Sequence, residues 1–251
     1  MVVLLSQGIG CCAVIVLVAA RGAGPPDLVR MLPAAAAGVA GVAALTAFYR
    51  ALAIGTMSVV APIAATGVAV PVIVGVAGGD RPASVQLAGI LVAVVGVVLA
   101  SRERPAGVQS CGNARASVGL ALIAALGFGS YLVGIRVSAR ADVLWALLAS
   151  RGAGVGALLA ATVVWGTSGG ADLARARFWP LAAIGALDLA ANGLYALATR
   201  HALLSVVAVA ASLYPLATML LARALLGERV RRVQALGVAA ALAGVVLIAA
   251  K

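Results

Sequence analysis

Lysine is almost missing from this 251-residue chain: Lys251 is the only one among 18 basic residues. Acidic residues number 7 and histidine only 1, so charged residues make up 10% of the chain. So few ionisable groups leave no clustered acids, bases or ligands for an enzyme or a metal site to be built from. No phosphate-binding loop, zinc signature or serine elbow is present, which argues against an ATP-driven pump in this chain. The 3 cysteines (Cys11, Cys12, Cys111) show no metal-ligand spacing and make no even set for a disulfide framework; they read as small apolar filler. Aromatic residues are 4% of the chain, and none interleave with a basic cluster. The net charge of +11 is therefore not a nucleic-acid signal. Most arginines lie at the ends of apolar runs, where they anchor helices at headgroups and meet anionic lipid.

What remains is apolar. Hydrophobic residues are 64% of the chain and the mean hydropathy is +1.17. A soluble domain of this length cannot bury that much apolar surface, so lipid is the solvent. Within lipid only helices and closed barrels satisfy their backbone groups. Barrel strands alternate over about 10 residues, whereas these runs are continuous and rich in Ala, Leu, Gly and Val. The chain is expected to be helical. The first run has no basic segment before it and is too long for a secretory leader, and Gly8-Ile9-Gly10-Cys11 lacks a lipidation pattern.

Nine runs approach the roughly 20 residues needed to span a bilayer: Val2–Ala20, Met31–Ile54, Met57–Ala77, Val85–Ala100, Ala116–Ile135, Val143–Trp165, Trp179–Thr199, Leu203–Leu226 and Val233–Ala250. The polar stretch Ser101–Arg115 is the natural linker between two related halves. Gln86, Gly89, Gly96 and Val97-Val98-Leu99 recur at one constant displacement as Gln234, Gly237, Gly244 and Val245-Val246-Leu247. Gly79-Asp80-Arg81 recurs as Gly227-Glu228-Arg229, and Ser58-Val59-Val60-Ala61 as Ser205-Val206-Val207-Ala208. Ser6-Gln7-Gly8-Ile9-Gly10 resembles Ser150-Arg151-Gly152-Ala153-Gly154. The second half has five runs, and the first of them, Ala116–Ile135, has no counterpart in the first half. A repeat with an odd number of spans is inverted relative to its neighbour, as in many secondary transporters. The expected division is 1–101 for the first repeat, missing its first helix, 102–115 for the linker, and 116–251 for the second repeat. The reading frame upstream is expected to encode one more helix like Ala116–Ile135; an in-frame stop there would instead make the nine-helix form genuine.

The doubled pattern resembles the EamA-type transporters of the drug/metabolite transporter superfamily. It reads ALAIGTMSVVAPIAATGVAVP followed by GDRPASVQLAGILVAVVGVVL, then ALATRHALLSVVAVAASLYP followed by GERVRRVQALGVAAALAGVVL. The resemblance covers nearly the whole chain. It departs in the missing first helix, in Asp80 for the usual Glu, and in Ala202 where Gly55 sits in the other half. It implies an all-α membrane protein, an inverted-repeat helical bundle of the ten-helix type lacking the first helix, with a central cavity. It also implies a secondary transporter, an exporter of a small metabolite or amino-acid-like solute, in the cell inner membrane. A cytoplasmic C-terminus is implied too, although the spread of arginines leans the other way. The rival readings are a non-transporting scaffold or assembly subunit and, further off, a membrane-embedded enzyme. No cofactor is expected. The expected partners are a small-molecule substrate, with a proton as coupling ion, and the lipid bilayer; a homodimer is left open.

Polar residues inside the runs are the candidate site, because each costs on the order of 2.5–3.5 kcal/mol to insert. Asp188 is the only acid near the centre of a run, and Asn192 and Tyr195 follow on the same helical face. These three read either as a cavity wall with a titrating acid or as an interhelical clamp, with Arg151 a partner for Asp188. Arg151 itself reads as an anion-binding fork or, preferentially, as a side chain snorkelling to the interface. Its counterpart Gln7 is neutral. Tyr131, beside Ser130, and Tyr214, beside Pro215, complete the substrate-binding candidates. Pro62, Pro71 and Pro215 are expected to break helices. Gly75/Gly79 and Gly152/Gly156 read as packing pairs, and Tyr49, Trp165 and Trp179 as interface anchors.

Overall fold

A computed structural model describes residues 2–55, 57–100, 114–165, 178–211, 213 and 232–249. Among the described residues every regular element is helical: α1 (Val2–Arg21), α2 (Leu28–Ile54), α3 (Met57–Ala65), a 3-10 turn (Thr66–Val68), α4 (Ala69–Ala77), α5 (Ser84–Ala100), α6 (Ala114–Ala139), α7 (Val143–Trp165), α8 (Phe178–His201), α9 (Leu204–Ala211) and α10 (Arg232–Ala249). Six segments among the described residues are long and apolar enough to cross a membrane: Leu4–Arg21, Leu28–Ile54, Val59–Ala77, Arg115–Ala139, Val143–Val164 and Trp179–His201. Ser84–Leu99 and Ala235–Gly244 are shorter apolar helices. The run expected over Leu203–Leu226 is described only in its first part, and Tyr214, Pro215 and Gly227-Glu228-Arg229 lie outside the described residues.

The chain forms two compact units, one of Met1–Val42 with Ser130–His201, the other of Ala43–Gly129 with Ala202–Lys251. Each unit draws helices from both sequence halves.

In the first unit α1 runs antiparallel to α7. Gln7 meets Arg151, Val14 packs on Leu147 and Leu189, and Arg21 pairs with Asp142. Small residues let the backbones approach. A Cβ at Gly185 would meet the Ser6 carbonyl at 2.7 Å, and a Cβ at Gly38 would coincide with the Ser150 carbonyl. Ser6 and Ser150 are repeat equivalents, and Gly38 and Gly185 are separated by the displacement that relates Ser58 to Ser205. The α1–α8 and α2–α7 contacts therefore have the same form. Gly152 and Gly156, expected to pack, have nothing within 4 Å of a Cβ; Gly154 between them faces α2 instead, with the Gly38 carbonyl at 3.2 Å from its Cβ position. Pro33 cannot donate to the carbonyl one turn back. The adjacent amide of Ala34 donates to Ser138 Oγ at 3.0 Å, so α6 supplies an acceptor beside the break.

In the second unit α5 and α10 are also antiparallel, and their contact is reciprocal. A Cβ at Gly96 would meet the Gly237 carbonyl at 2.7 Å, and a Cβ at Gly244 would meet the Gly89 carbonyl at 2.6 Å. The four glycines are two repeat-equivalent pairs. The Met57–Ala77 run is interrupted at Thr66–Val68. Pro71 has no N–H for the Gly67 carbonyl, which leaves this stretch without one α-helical bond and tightens it into a 3-10 turn. Thr66 Oγ1 donates to the Ile63 carbonyl at 2.6 Å, and Gly67 lies against Ala125 of α6. After α4, Gly79 takes φ 101°, open to glycine at little cost. That turn brings Asp80 to the start of α9, where its Oδ2 accepts from the Ser205 amide at 3.2 Å and the Ser205 hydroxyl at 3.4 Å.

Candidate functional site

The polar residues at membrane depth gather in the first unit. Arg151 is carried near the middle of α7 and Asp188 near the middle of α8. Arg151 NH2 lies 2.6 Å from Asp188 Oδ2, while its NH1 donates to Gln7 Oε1 on α1. The guanidinium thus ties three helices together. Arg151 does not snorkel: only 3% of its side chain is accessible, against 44% for Asp188. Its guanidinium lies at the α1–α8 contact, with NH1 3.5 Å from a Cβ placed on Gly10. A charge so deep in a low-dielectric span is tolerated only with a partner, and Asp188 is that partner. Arg151 Nε and NH2 are buried without a hydrogen-bond acceptor among the described residues, NH2 meeting Asp188 as an ion pair alone.

Asn192 supports the acid from the next turn of α8. Its Nδ2 donates to the Asp188 carbonyl at 2.8 Å and to Asp188 Oδ1 at 3.1 Å. Tyr195 does not continue this polar edge into the open. It is 6% accessible, and its hydroxyl donates to the Leu132 carbonyl of α6 at 3.1 Å. Tyr131, also on α6, has Ser150 as hydrogen-bond partner and feels the charges of both Arg151 and Asp188. Five of the six candidate residues therefore fall on facing parts of α6, α7 and α8; Tyr214 lies outside the described residues. The outward side of α8 is apolar, with Leu187 71% and Leu194 68% accessible. Such side chains suit lipid, whereas Asp188 sits at the border between that face and the packed one.

One polar constellation escaped the sequence reading. Arg21 at the end of α1 pairs with Asp142, whose Oδ1 also caps α7 by accepting the Trp145 amide at 3.0 Å. Trp145 Nε1 donates to the Ala23 carbonyl at 3.3 Å. The signal was present, since an Asp one residue before an apolar run is an N-cap signature. Burial alone would push the Asp142 carboxyl up. The hydrogen bonds from Arg21 and Trp145, with the Arg21 charge, outweigh it and hold the carboxyl below its usual range. Among the described residues no group of three or more His, Cys, Asp or Glu could hold a metal ion.

A solved crystal structure of a protein is similar to this chain, with a TM-score of 0.73 and 18% identity over 98% of this chain and 85% of the other. At that identity the likeness is one of fold. No curated protein matches the chain. A sequence profile described as the EamA-like transporter family matches residues 115–250, more than half of the sequence and all of α6 to α10 but the first residue of α6. With its long apolar helices, the chain is a multi-pass membrane protein that belongs to the EamA-like transporter family, within the drug/metabolite transporter superfamily.

Proposed function

We propose that this protein is a secondary transporter that exports a small metabolite or amino-acid-like solute across the cell inner membrane, with proton exchange at Asp188. The observation that carries this reading is the Arg151–Asp188 pair at mid-span, closed on the arginine and half open on the acid. A purely structural clamp would gain by enclosing both charges. An acid kept partly open at membrane depth can instead load and release a proton or a solute group. Tyr131, Asn192 and Tyr195 shape its surroundings, and Tyr214 is the further candidate from the second repeat.

The nine-span, inverted-repeat organisation, with repeats at 1–101 and 116–251 and a linker at 102–115, is part of the same proposal. Two antiparallel helix pairs support it. In each, equivalent residues of the halves meet reciprocally, as a two-fold axis in the membrane plane requires. Gln7 meets its own equivalent Arg151, and Gly96 meets Gly237 as Gly244 meets Gly89.

The test is flux in vesicles of purified protein. Amino acids and related metabolites are offered against an imposed pH gradient, with a pH dye inside. At least one solute should dissipate the gradient faster than in protein-free vesicles. No difference across a broad panel, with correctly inserted protein, counts against the transporter reading.

A further inference from the structure

The Arg151–Asp188 pair is neutral in sum but presents only one of its signs. The guanidinium is held by Gln7 and Asp188 with only 3% of the side chain accessible, so its unpaired N–H groups are closed off from a solute carboxylate. The Asp188 carboxylate is 44% accessible. Its Oδ2 meets Arg151 and its Oδ1 meets Asn192, which uses two of about four acceptor positions. An acceptor left open at this depth cannot face hydrocarbon without a large cost, so its open side belongs to water or solute.

From this asymmetry we infer that the site selects a positively charged head group: Asp188 receives a protonated amine, and Arg151 is a positioning residue that fixes the carboxylate and bars anionic solutes. The inference deepens the transport reading and rests on it only in treating Asp188 as part of the solute path. An ammonium on Asp188 would share the carboxylate with Arg151 and Asn192. A solute carboxylate would have to break the Arg151–Asp188 contact and would meet Asp188 as a like charge.

The sign of the site can be measured without transport. With Cys11, Cys12 and Cys111 replaced by alanine, Asn192→Cys places a thiol one turn from Asp188. Its reaction rates with trimethylammonioethyl and sulfonatoethyl methanethiosulfonate are each divided by the rate for free mercaptoethanol. The cationic reagent should be favoured by roughly tenfold or more, the scale on which a cleft of one sign concentrates its counter-ions. Adding Asp188→Asn uncovers Arg151 and should reverse the preference. A sulfonate preference with Asp188 intact, a ratio indifferent to Asp188→Asn, or no reaction with either reagent would overturn the inference. A second readout needs no cysteine: butylammonium should raise the thermal midpoint of the detergent-solubilised wild type above that in matched butyrate, and Asp188→Asn should abolish the difference. Equal midpoints in wild type would count against it. A protein that passes both tests but moves no solute would keep the cation site and lose the transport reading.

Discussion

Gln7 and Arg151 hold equivalent positions in the two sequence halves and are hydrogen-bonded to each other, the amide oxygen of one accepting from the guanidinium of the other. Under the proposed inverted repeat, a residue that touches its own equivalent lies on the axis relating the halves. The equivalence is broken in charge: Arg151 reaches Asp188, whereas the position matching Asp188 by the displacement that relates Ser58 to Ser205 is Gly41, packed on the Tyr131 ring with a Cβ position 3.0 Å from Cδ2. Only one half carries the ion pair.

That asymmetry fixes what removal of the arginine should do. Taking one member from a buried ion pair costs about 3–5 kcal/mol. With the Asp188 side chain 44% accessible the loss here should be smaller, roughly 1–3 kcal/mol. Arg151→Ala should lower the thermal midpoint in detergent. Arg151→Gln with Asp188→Asn, neutral on both sides, should recover most of the loss. A double variant no better than Arg151→Ala would mean the pair contributes packing alone.

The reciprocal glycines of α5 and α10 make a paired prediction. Gly96→Val and Gly244→Val each push a side chain into the opposing backbone, so both should reduce folded yield and thermal midpoint to a similar degree. Gly119→Ala, where nothing lies within 4 Å, should be neutral to slightly stabilising, as expected for alanine in a helix. Unequal effects of the first two would break the reciprocity argued for that helix pair.

The Arg21–Asp142 pair gives a pH dependence of known sign. The folded Asp142 carboxyl is held below its usual value, which is near 3.9 in unfolded chains. Its stabilisation is therefore complete above about pH 5 and fades as pH falls through the lower folded value. Asp142→Asn can still cap α7 but loses the charge, so wild type should be more stable at neutral pH by up to about 1 kcal/mol. The two should converge in acid. A gap that persists in acid would assign the effect to shape rather than charge.

Asp80 should matter through the start of α9. Losing a cap acceptor costs on the order of 1 kcal/mol, so Asp80→Ala should lower the thermal midpoint and Asp80→Asn should do so less, because Asn can still accept from the Ser205 amide. Equal midpoints for wild type and Asp80→Ala would remove the capping role.

Much of this was legible before any coordinates. Length and hydropathy located the described helices, since a bilayer leaves the backbone few choices. The glycines of α5 and α10 stood out because their spacing recurs. The facing of side chains was less legible. Gly152 and Gly156 looked like a packing pair, yet Gly154 meets α2, because a helix that is apolar on every side does not announce which face is packed. The depth of Arg151 favours snorkelling over the clamp with Asp188; the structure has the pair, because the partner that keeps Arg151 buried comes from another helix. The break at Thr66–Val68 was visible in Pro71, but its seating on Ala125 was not, because that contact joins segments far apart in the chain.

The most direct measurement compares wild type with Asp188→Asn in vesicles at matched insertion under an imposed pH gradient. Asn keeps the shape and most hydrogen bonds of Asp188 while removing its titration. Gradient-driven flux should be lost in the variant. Equal proton-coupled flux by both proteins would contradict proton exchange at Asp188 and leave the Arg151–Asp188 pair as a clamp between helices.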